Sequence, residues 1–194
     1  VNQTCSMDCK LCYADCGASK RPELTTEQWK RFIDELVADQ FLHIFFEGGE
    51  PLHRPDFEEL LAHVDRRLFV AIRTHATLID AARARRLQEF GVGRLYVDLF
   101  AAIPEVQDEL TGHPGSYDAA VAGIRAARAA GIKVTILGIL SRRNFEHLQR
   151  YLDLAVALDC DQVGVLRLYP LGRARKNWAE LSLTLEQMMG ALHG

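Results

Sequence analysis

Short apolar segments alternate with longer amphipathic segments along this chain, and the alternation predicts an α/β fold. The short segments are rich in β-branched and aromatic residues, which favours strands over helices. Two of them, VTILGIL and VGVLRL, are apolar on both faces, which is typical of parallel strands covered by helices. The predicted strands are residues 43–46, 69–74, 94–100, 134–140 and 162–168.

The segments between these strands carry apolar residues at the spacing of an α-helix. Residues that favour helix starts precede them, such as Thr25 ahead of Glu27 and Gln28, or Asn144 ahead of Phe145. The predicted helices are residues 26–40, 56–67, 80–90, 117–130, 145–158 and 184–192.

Repeated pairs of strand and helix predict a parallel sheet with right-handed crossovers. If the residues at Val1 are the end of a further strand, there are six such pairs. This number suits a partial (βα)6 TIM-like barrel of parallel strands better than a closed barrel of eight units. In such folds the loops after the carboxyl ends of the strands carry the functional site.

Length and composition agree with one globular domain. The chain has 194 residues, 48% of them hydrophobic, and its net charge of -3 comes from 23 basic and 26 acidic residues spread along it. No block of like charge suggests nucleic acid as a partner, and no apolar run approaches the roughly 18 residues that cross a membrane. With no secretory pattern either, we expect a cytoplasmic protein. Because it begins at Val1 and stops at Gly194 without a tail, we expect residues 1–194 to be one domain of a longer chain.

Four of the five cysteines lie between positions 5 and 16. Three and two residues separate Cys5, Cys9 and Cys12, so three thiolates can converge on one inorganic centre. A disulfide framework is disfavoured because only Cys160 lies outside this segment and nothing indicates secretion. Structural zinc requires a fourth ligand, and no second Cys or His pair has the usual spacing.

Two iron-sulfur arrangements remain. Full ligation of the ferredoxin type uses a C-x2-C-x2-C-x3-C-P run, whereas the first gap here is longer and Gly17 follows Cys16. The residues therefore favour a 4Fe-4S cluster that three thiolates hold, with one iron open to a ligand from outside the protein.

The C-x3-C-x2-C spacing, followed one strand later by Gly48-Gly49-Glu50-Pro51, resembles the radical S-adenosylmethionine (SAM) superfamily. An ordinary strand-to-helix turn is the alternative interpretation of the second motif. The resemblance extends through nearly all of the chain. The segments DELTGHPGSYDAAVAGIRAARAAGIKV and LRLYPLGRA resemble members with a C-terminal auxiliary cluster domain of the SPASM type.

The resemblance implies the cofactors and the chemistry. Cys5, Cys9 and Cys12 match the three ligands of the 4Fe-4S cluster, and an electron donor of the flavodoxin or ferredoxin kind would reduce it. SAM would be cleaved to a 5'-deoxyadenosyl radical that abstracts hydrogen from a substrate. Gly48 and Gly49 would let a ligand approach the backbone, Glu50 would accept from the SAM ammonium group, and Pro51 would fix the turn.

Several positions depart from the family pattern. Thr74-His75-Ala76 stands where members usually have Thr-Asn-Gly. Asp98 stands where a Ser often points at the SAM ribose, and Ala101 where Gly is frequent; an Asp can still bind a ribose hydroxyl. Leu11 replaces a common aromatic before the third cysteine, and Tyr13, one residue after it, can stack near the cofactor.

Other residues with reactive or charged side chains have two interpretations each. Cys16 is either a structural loop thiol near the cluster or a spare ligand, with the structural role favoured, and Cys160 is interpreted as a buried, inert thiol. For the residues at or just past strand ends, the two interpretations are contact with the substrate and an ion pair within the protein: Glu47, His75, Asp98, Arg142 and Arg173. The remaining histidines lack H-x3-H ligand spacing and are predicted at the surface or at helix caps: His43, His53, His63, His113, His147 and His193.

Two hypotheses of different classes follow. The first is a radical SAM enzyme, whose SPASM-like segments point to peptide or protein maturation, with a small metabolite or haem precursor as the second choice of substrate. The second is an iron-sulfur module without catalysis, which the altered segments RTHA and VDLFA suggest. The intact cysteine triad and Glu50 favour the enzyme.

Overall fold

Five parallel strands form one sheet in the part of the chain that the structure, a computed structural model, describes, namely residues 1–18 and 22–193. Strands that follow one another in the chain are neighbours throughout, so every crossover advances the sheet in one direction, as in a barrel wall. The strands are β1 (His43–Phe46), β2 (Phe69–Thr74), β3 (Val92–Asp98), β4 (Lys133–Leu140) and β5 (Gln162–Arg167).

Helices connect the strands and cover one face of the sheet. Thr25 begins the first of them with a capping box, in which its hydroxyl accepts from Gln28 N and the Gln28 side chain accepts from Thr25 N. The helices are α1 (Thr26–Ala38), α2 (Phe57–His63), α3 (Ala81–Glu89), α4 (Pro104–Thr111), α5 (Ser116–Ala129), α6 (Leu148–Ala157), α7 (Gly172–Lys176), α8 (Trp178–Leu181) and α9 (Leu185–His193).

Alternate strand residues face the helices and make the main core. The burial of Ile72 on β2, Leu95 on β3 and Ile136 on β4 is complete, and Ile33 and Ile124 pack into the same cluster from α1 and α5. This burial is the main favourable contribution to folding. The predicted α/β class and parallel partial barrel are confirmed.

Strand β5 is not covered on both faces, which corrects the expectation that all the apolar strands are buried between layers. Val163 and Leu166 lie on opposite faces of β5, and each remains 39% exposed. The strand forms the free edge of the sheet, with only β4 as a neighbour. The apolar pattern of residues 162–168 therefore does not correspond to a strand covered on both faces.

Several strand and helix boundaries differ from the predicted ones. β3 begins at Val92 and ends at Asp98, two residues before the predicted end, and Phe100 N donates instead to Gln107 Oε1 at 2.7 Å. Helix α2 ends at His63 rather than at residue 67. Helix α6 begins three residues late because residues 145–147 form a 3₁₀ turn.

Three short helices were not predicted. Helix α4 has eight residues between Pro104 at its first position and Gly112 at its C-cap, where φ is 65°. Helices α7 and α8 have five and four residues. Segments this short carry too few turns for a helical period to be visible in the sequence.

The chain start does not form a sixth strand in the described structure. Residues 1–4 instead run beside the end of β1, where Gly49 N donates to Asn2 O at 2.9 Å and Glu50 N donates to Thr4 O at 2.8 Å. The expectation of a sixth strand is therefore replaced by an irregular segment that lies against the glycine turn.

None of the helices in residues 1–18 and 22–193 is both long enough and apolar enough to cross a membrane.

A tight contact joins α5 to the loop after β2. A Cβ on Gly123 would lie 2.1 Å from the carbonyl oxygen of Ala76. Ala76 itself has a φ of 61°, in the left-handed region that favours glycine. The loop that follows β2 is thus held by a close approach of two backbones.

We expect Gly123→Ala to lower the free energy of unfolding by about 1 to 3 kcal/mol, because the new methyl group must displace the Ala76 backbone. Gly190→Ala in α9 is the matched control, since a Cβ at this position would have nothing within 4 Å of it. The control should raise stability by up to about 1 kcal/mol through helix propensity. Urea unfolding of both variants measures the difference, and equal effects would contradict the close contact.

Candidate cofactor site

One cavity at the carboxyl edge of the sheet collects most of the predicted site residues. Its wall includes the predicted cluster and cofactor residues Cys5, Cys9, Cys12, Tyr13, Gly48, Gly49 and Asp98. It also includes Cys16, Glu47, His75 and Arg173, for which two interpretations were open, together with residues that were not predicted.

The loop that carries the cysteines has little regular structure and is fixed by contacts with α4. Asp8 N donates to Thr111 O at 3.0 Å, and Lys10 N donates to Leu110 O at 2.8 Å. Leu11 is buried in a second apolar cluster with Leu110. The position that is often aromatic in the family is therefore used here for core packing.

The three thiols have different proton affinities. Burial raises the pKa of Cys9 strongly, and burial also raises the pKa of Cys5. The pKa of Cys12 is lowered, chiefly because the Cys16 thiol donates to its sulfur, and backbone N–H groups of Cys16 and Ala14 add to this. Cys12 is thus the thiol of the motif that most readily becomes a thiolate.

Close packing requires both glycines of the turn after β1. A Cβ on Gly48 would lie 2.3 Å from Asn2 O, and a Cβ on Gly49 would lie 2.3 Å from Thr4 O. The start of the chain therefore presses on one side of the turn while the other side lines the cavity. Approach by the chain's own backbone accounts for the glycines as directly as approach by a ligand.

Glu50 lies behind the cavity wall, and its carboxylate is fully buried. It accepts from Thr74 Oγ1 at 2.8 Å, from His75 N at 2.9 Å and from Leu52 N at 3.1 Å. Burial raises its pKa to about 7, and these hydrogen bonds oppose the shift. The observed contacts hold the loop after β2 in place, and the role of Glu50 toward the SAM ammonium group stays a prediction. Pro51 begins a buried 3₁₀ turn directly after it.

His75 lies in the cavity wall and is neutral near pH 7. Its Nε2 is 3.2 Å from Glu50 Oε2 and 3.4 Å from Ser6 Oγ, and its Nδ1 is 3.0 Å from Thr77 Oγ1. Burial lowers its pKa to about 4. The histidine that replaces Asn in the family pattern therefore bridges the cysteine loop and the buried glutamate without adding charge.

Asp98 forms a two-pronged ion pair with Arg73 in the cavity wall. Arg73 Nε and Nη2 donate to the carboxylate at 3.0 and 2.9 Å. Glu47 lies 3.8 Å from Arg73 Nη1, and Tyr13 Oη donates to Glu47 Oε1 at 3.5 Å. Burial raises the pKa of Asp98, and the guanidinium opposes this shift. Four polar side chains thus form one connected wall.

The structure divides the remaining candidates. Cys16 is buried and lies in the cavity wall, and Arg173 also lines the cavity. Arg142 instead contacts the backbone of residues 179 and 181. Cys160 is half-buried between α6 and β5, where burial raises its pKa to about 11.

Among the other histidines, His53 is half-buried in the last turn of the 3₁₀ helix and packs edge-on against His75 with ring centroids 6.3 Å apart. His63 pairs with Asp34 at 2.8 Å, and His43 is exposed. The side chain of His193 lies outside the described residues.

Arg73 is the main cavity residue that the sequence interpretation missed. It is the one charged residue in the strand FVAIRT, and strand alternation places it on the face opposite the buried Ile72. That signal was present in the sequence. Other unpredicted wall residues are Met7, Ala14, Phe100 and Ile139.

Fold and site together define a class of protein, an open α/β barrel that gathers three thiols beside a glycine turn at the carboxyl edge of its sheet. The family model described as the radical SAM superfamily matches residues 1–155. The chain belongs to the radical SAM superfamily, whose members are enzymes with a 4Fe-4S cluster and SAM as cofactors.

Related proteins cover this chain almost completely. The AdoMet-dependent heme synthase of Methanosarcina barkeri is 34% identical over 171 residues, which are 87% of this chain and 49% of the relative. Mycofactocin maturase MftC of Mycobacterium tuberculosis is 33% identical over 193 residues, which are 97% of this chain and 48% of the relative. The chain spans about half the length of the curated relatives it matches.

A solved structure shares the fold. SuiB of Streptococcus suis, bound to its precursor peptide SuiA, superposes with a TM-score of 0.76 at 19% identity, covering 87% of this chain and 38% of SuiB. At this identity the likeness establishes the fold alone.

The donor set of the cavity fits the cluster of this family. Three cysteine thiols line one cavity, and Cys9 is close enough to Cys5 and Cys12 for their charges to raise its pKa. Within the described residues, no group of three or more His, Cys, Asp or Glu side chains is arranged to hold a single metal ion. Sulfur ligands spread around one cavity are the donors that an iron-sulfur cluster uses.

We expect Glu50 to make stability fall as pH rises from 4.5 to 7. The folded protein keeps the Glu50 proton in this window while the unfolded chain releases it, so up to about 3 kcal/mol is lost by the upper end. Glu50→Gln cannot ionise and should show a correspondingly smaller loss. Urea unfolding of the reduced, cluster-free protein across this pH range measures both slopes. Parallel slopes would show that Glu50 ionises normally.

Proposed function

We propose that residues 1–194 form the catalytic core of a radical SAM enzyme. Cys5, Cys9 and Cys12 would hold the 4Fe-4S cluster, and SAM would bind beside Gly48 and Gly49. One observation carries this proposal: the three thiols and the glycine turn, separate in sequence, line the same cavity. A single cavity is what joint binding of cluster and SAM requires.

When bound, the reduced cluster and SAM supply a 5'-deoxyadenosyl radical that takes a hydrogen atom from the substrate. The chain's own residues provide the surroundings. Met7, Phe100 and Ile139 give the cavity an apolar part that limits water. Asp98, already oriented by Arg73, offers carboxylate oxygens to a ribose hydroxyl, and Tyr13 offers a ring for stacking.

Peptide or protein maturation is the proposed use of this chemistry. Support comes from the 33% identity with a mycofactocin maturase over nearly the whole chain, and from the fold shared with SuiB, which binds a precursor peptide. The 34% identity with a heme synthase supports a haem precursor as the second candidate.

Three further parts of the proposal rest on the family and its chemistry. We assign residues 1–194 to one radical SAM core domain of the kind found in SPASM-type members, because peptide maturases are among its relatives. A flavodoxin-like or ferredoxin-like protein would donate the electron. The proposed place of action is the cytoplasm, because thiols stay reduced there and the cysteines of the loop must be free to bind a cluster.

We expect the reconstituted protein to convert SAM to 5'-deoxyadenosine when dithionite supplies electrons. Cys9→Ala should abolish the product because it removes one of three cluster ligands. Cys160→Ala is the matched control, since this thiol lies between α6 and β5, away from the cavity, and its loss should leave product formation unchanged. Mass spectrometry of anaerobic reactions measures deoxyadenosine.

A bound cluster without SAM cleavage in the wild type would favour the module without catalysis. Product that survives in Cys9→Ala would exclude the proposed ligand set.

We expect the substrate to be a peptide, and isotope transfer tests this even while the peptide's sequence is unknown. Cells of the source organism grown in deuterated medium give an extract that is separated into peptide and small-metabolite fractions. Each fraction is incubated with enzyme and unlabelled SAM, and the deuterium in 5'-deoxyadenosine is measured. Deuterium from the peptide fraction alone is the expected result. Transfer from the small-metabolite fraction alone would favour the haem-precursor alternative.

A further inference from the structure

The segment after β5 contacts the cysteine loop from the far end of the chain. The residues that make the contact are Gly172 and Arg173 at the start of α7, in the sequence YPLGRA. They lie beyond residue 155, where the match to the family model ends. Arg173 lines the cofactor cavity although 164 positions separate it from Cys9. The match to the family model therefore does not reach this segment.

Gly172 allows two backbones to meet. Its φ is 53°, and a Cβ there would lie 2.4 Å from Tyr13 O and 2.6 Å from Cys12 O. Because no side chain intervenes, Arg173 N donates to Cys12 O at 2.9 Å and Ala174 N donates to the same oxygen at 3.4 Å. The carbonyl of one cysteine in the motif is thus held directly by the backbone of α7.

The guanidinium of Arg173 spans the rest of the loop. Its Nε donates to Cys9 O at 2.9 Å and its Nη1 donates to Cys16 O at 2.5 Å. The side chain is only 14% exposed. One planar group therefore holds two carbonyls that lie seven positions apart in the chain, which fixes the distance between Cys9 O and Cys16 O.

Charge alone does not explain this arrangement. Asp8 Oδ1 and Asp15 Oδ1 lie 3.2 and 3.1 Å from Arg173, and Lys176 Nζ lies 3.5 Å from Asp15. Asp8 and Lys176 are largely exposed, so water screens their charges, whereas Arg173 is mostly buried. The fork of N–H groups, which holds two carbonyls at once, is the feature that distinguishes Arg173 from a lysine.

We infer that Gly172 and Arg173 act as a clamp that positions Cys9 and Cys12 to hold the iron-sulfur cluster. Arg173 acts through the loop and is a positioning residue. The inference rests on the proposed function for the identity of the group that is held. The clamp also explains how a loop with little regular structure keeps its thiols at one cavity.

Three variants test the clamp: Arg173→Met, Arg173→Lys and the control Arg143→Met. Arg143 also forms ion pairs on this side of the barrel, with Glu109 and Glu180, but donates to no cysteine carbonyl among its described contacts. The first measurement is hydrogen-deuterium exchange of residues 5–16 in the reduced, cluster-free protein. We expect faster exchange in both Arg173 variants and wild-type exchange in the control.

The second measurement follows the reconstituted cluster. We expect both Arg173 variants to lose cluster absorbance in air on the order of tenfold faster than wild type, as is typical for lost outer contacts of a metal site. We also expect an altered EPR signal of the reduced cluster. Lysine should not rescue either property, because one ammonium group cannot hold both carbonyls in the arginine geometry.

The outcomes separate this inference from the proposed function. A wild-type protein that binds no cluster would overturn the proposed function, while the exchange experiment would still decide whether the clamp exists. Wild-type exchange and cluster lifetime in Arg173→Lys would overturn the clamp, because charge would then suffice. Should Arg173→Met not fold, as judged by circular dichroism, the comparison of Arg173→Lys with the control decides alone.

Discussion

Parallel strands end at the same edge of a sheet, and the whole candidate site depends on that constraint. The register pairs Thr74 with Val97 and Asp98 with Leu137, so the residues that follow neighbouring strands emerge side by side. The cysteine loop has no strand of its own to place it. It lies on this edge because the ends of α4 and the start of α7 supply backbone hydrogen-bond partners, so the strand ends and the loop form one surface.

Glu50 joins the separate segments of that surface. Its carboxylate accepts from Thr74 and His75 at the end of β2, and its own N–H donates to Thr4 O, one residue before Cys5. A buried carboxyl group is costly unless nearby donors satisfy it, and these donors are present only when the turn after β1 and the end of β2 are correctly placed. The acid of the motif therefore has an architectural role in connecting the turn after β1 to the end of β2. A raised pKa follows from the same burial and offsets part of the cost, because the group can keep its proton.

Periodic segments were predictable from the sequence, and contacts across the barrel were not. The strands at 43–46 and 69–74 match the structure because strand alternation and composition are local properties. The spacing of Cys5, Cys9 and Cys12 likewise predicted that the thiols share a cavity. The contact between Arg173 and Cys9 could not be predicted, because no local pattern shows which loops meet in an open barrel. Glu50 shows a different limit, since the motif identified the residue but not the direction of its side chain.

The Asp98–Arg73 pair shows how the site accommodates a departure from the family pattern. An aspartate in place of the frequent serine adds a charge at a partly buried position, and that charge is costly without a partner. Arg73 supplies the partner with two hydrogen bonds from the neighbouring strand, where the register pairs it with Tyr96, two residues before Asp98 and on the same face. Carboxylate lone pairs of Asp98 that do not face Arg73 remain for a neutral hydroxyl group. Side chains that already hold each other lose little freedom when a ligand arrives, so the substitution gives this wall of the cavity its order in advance.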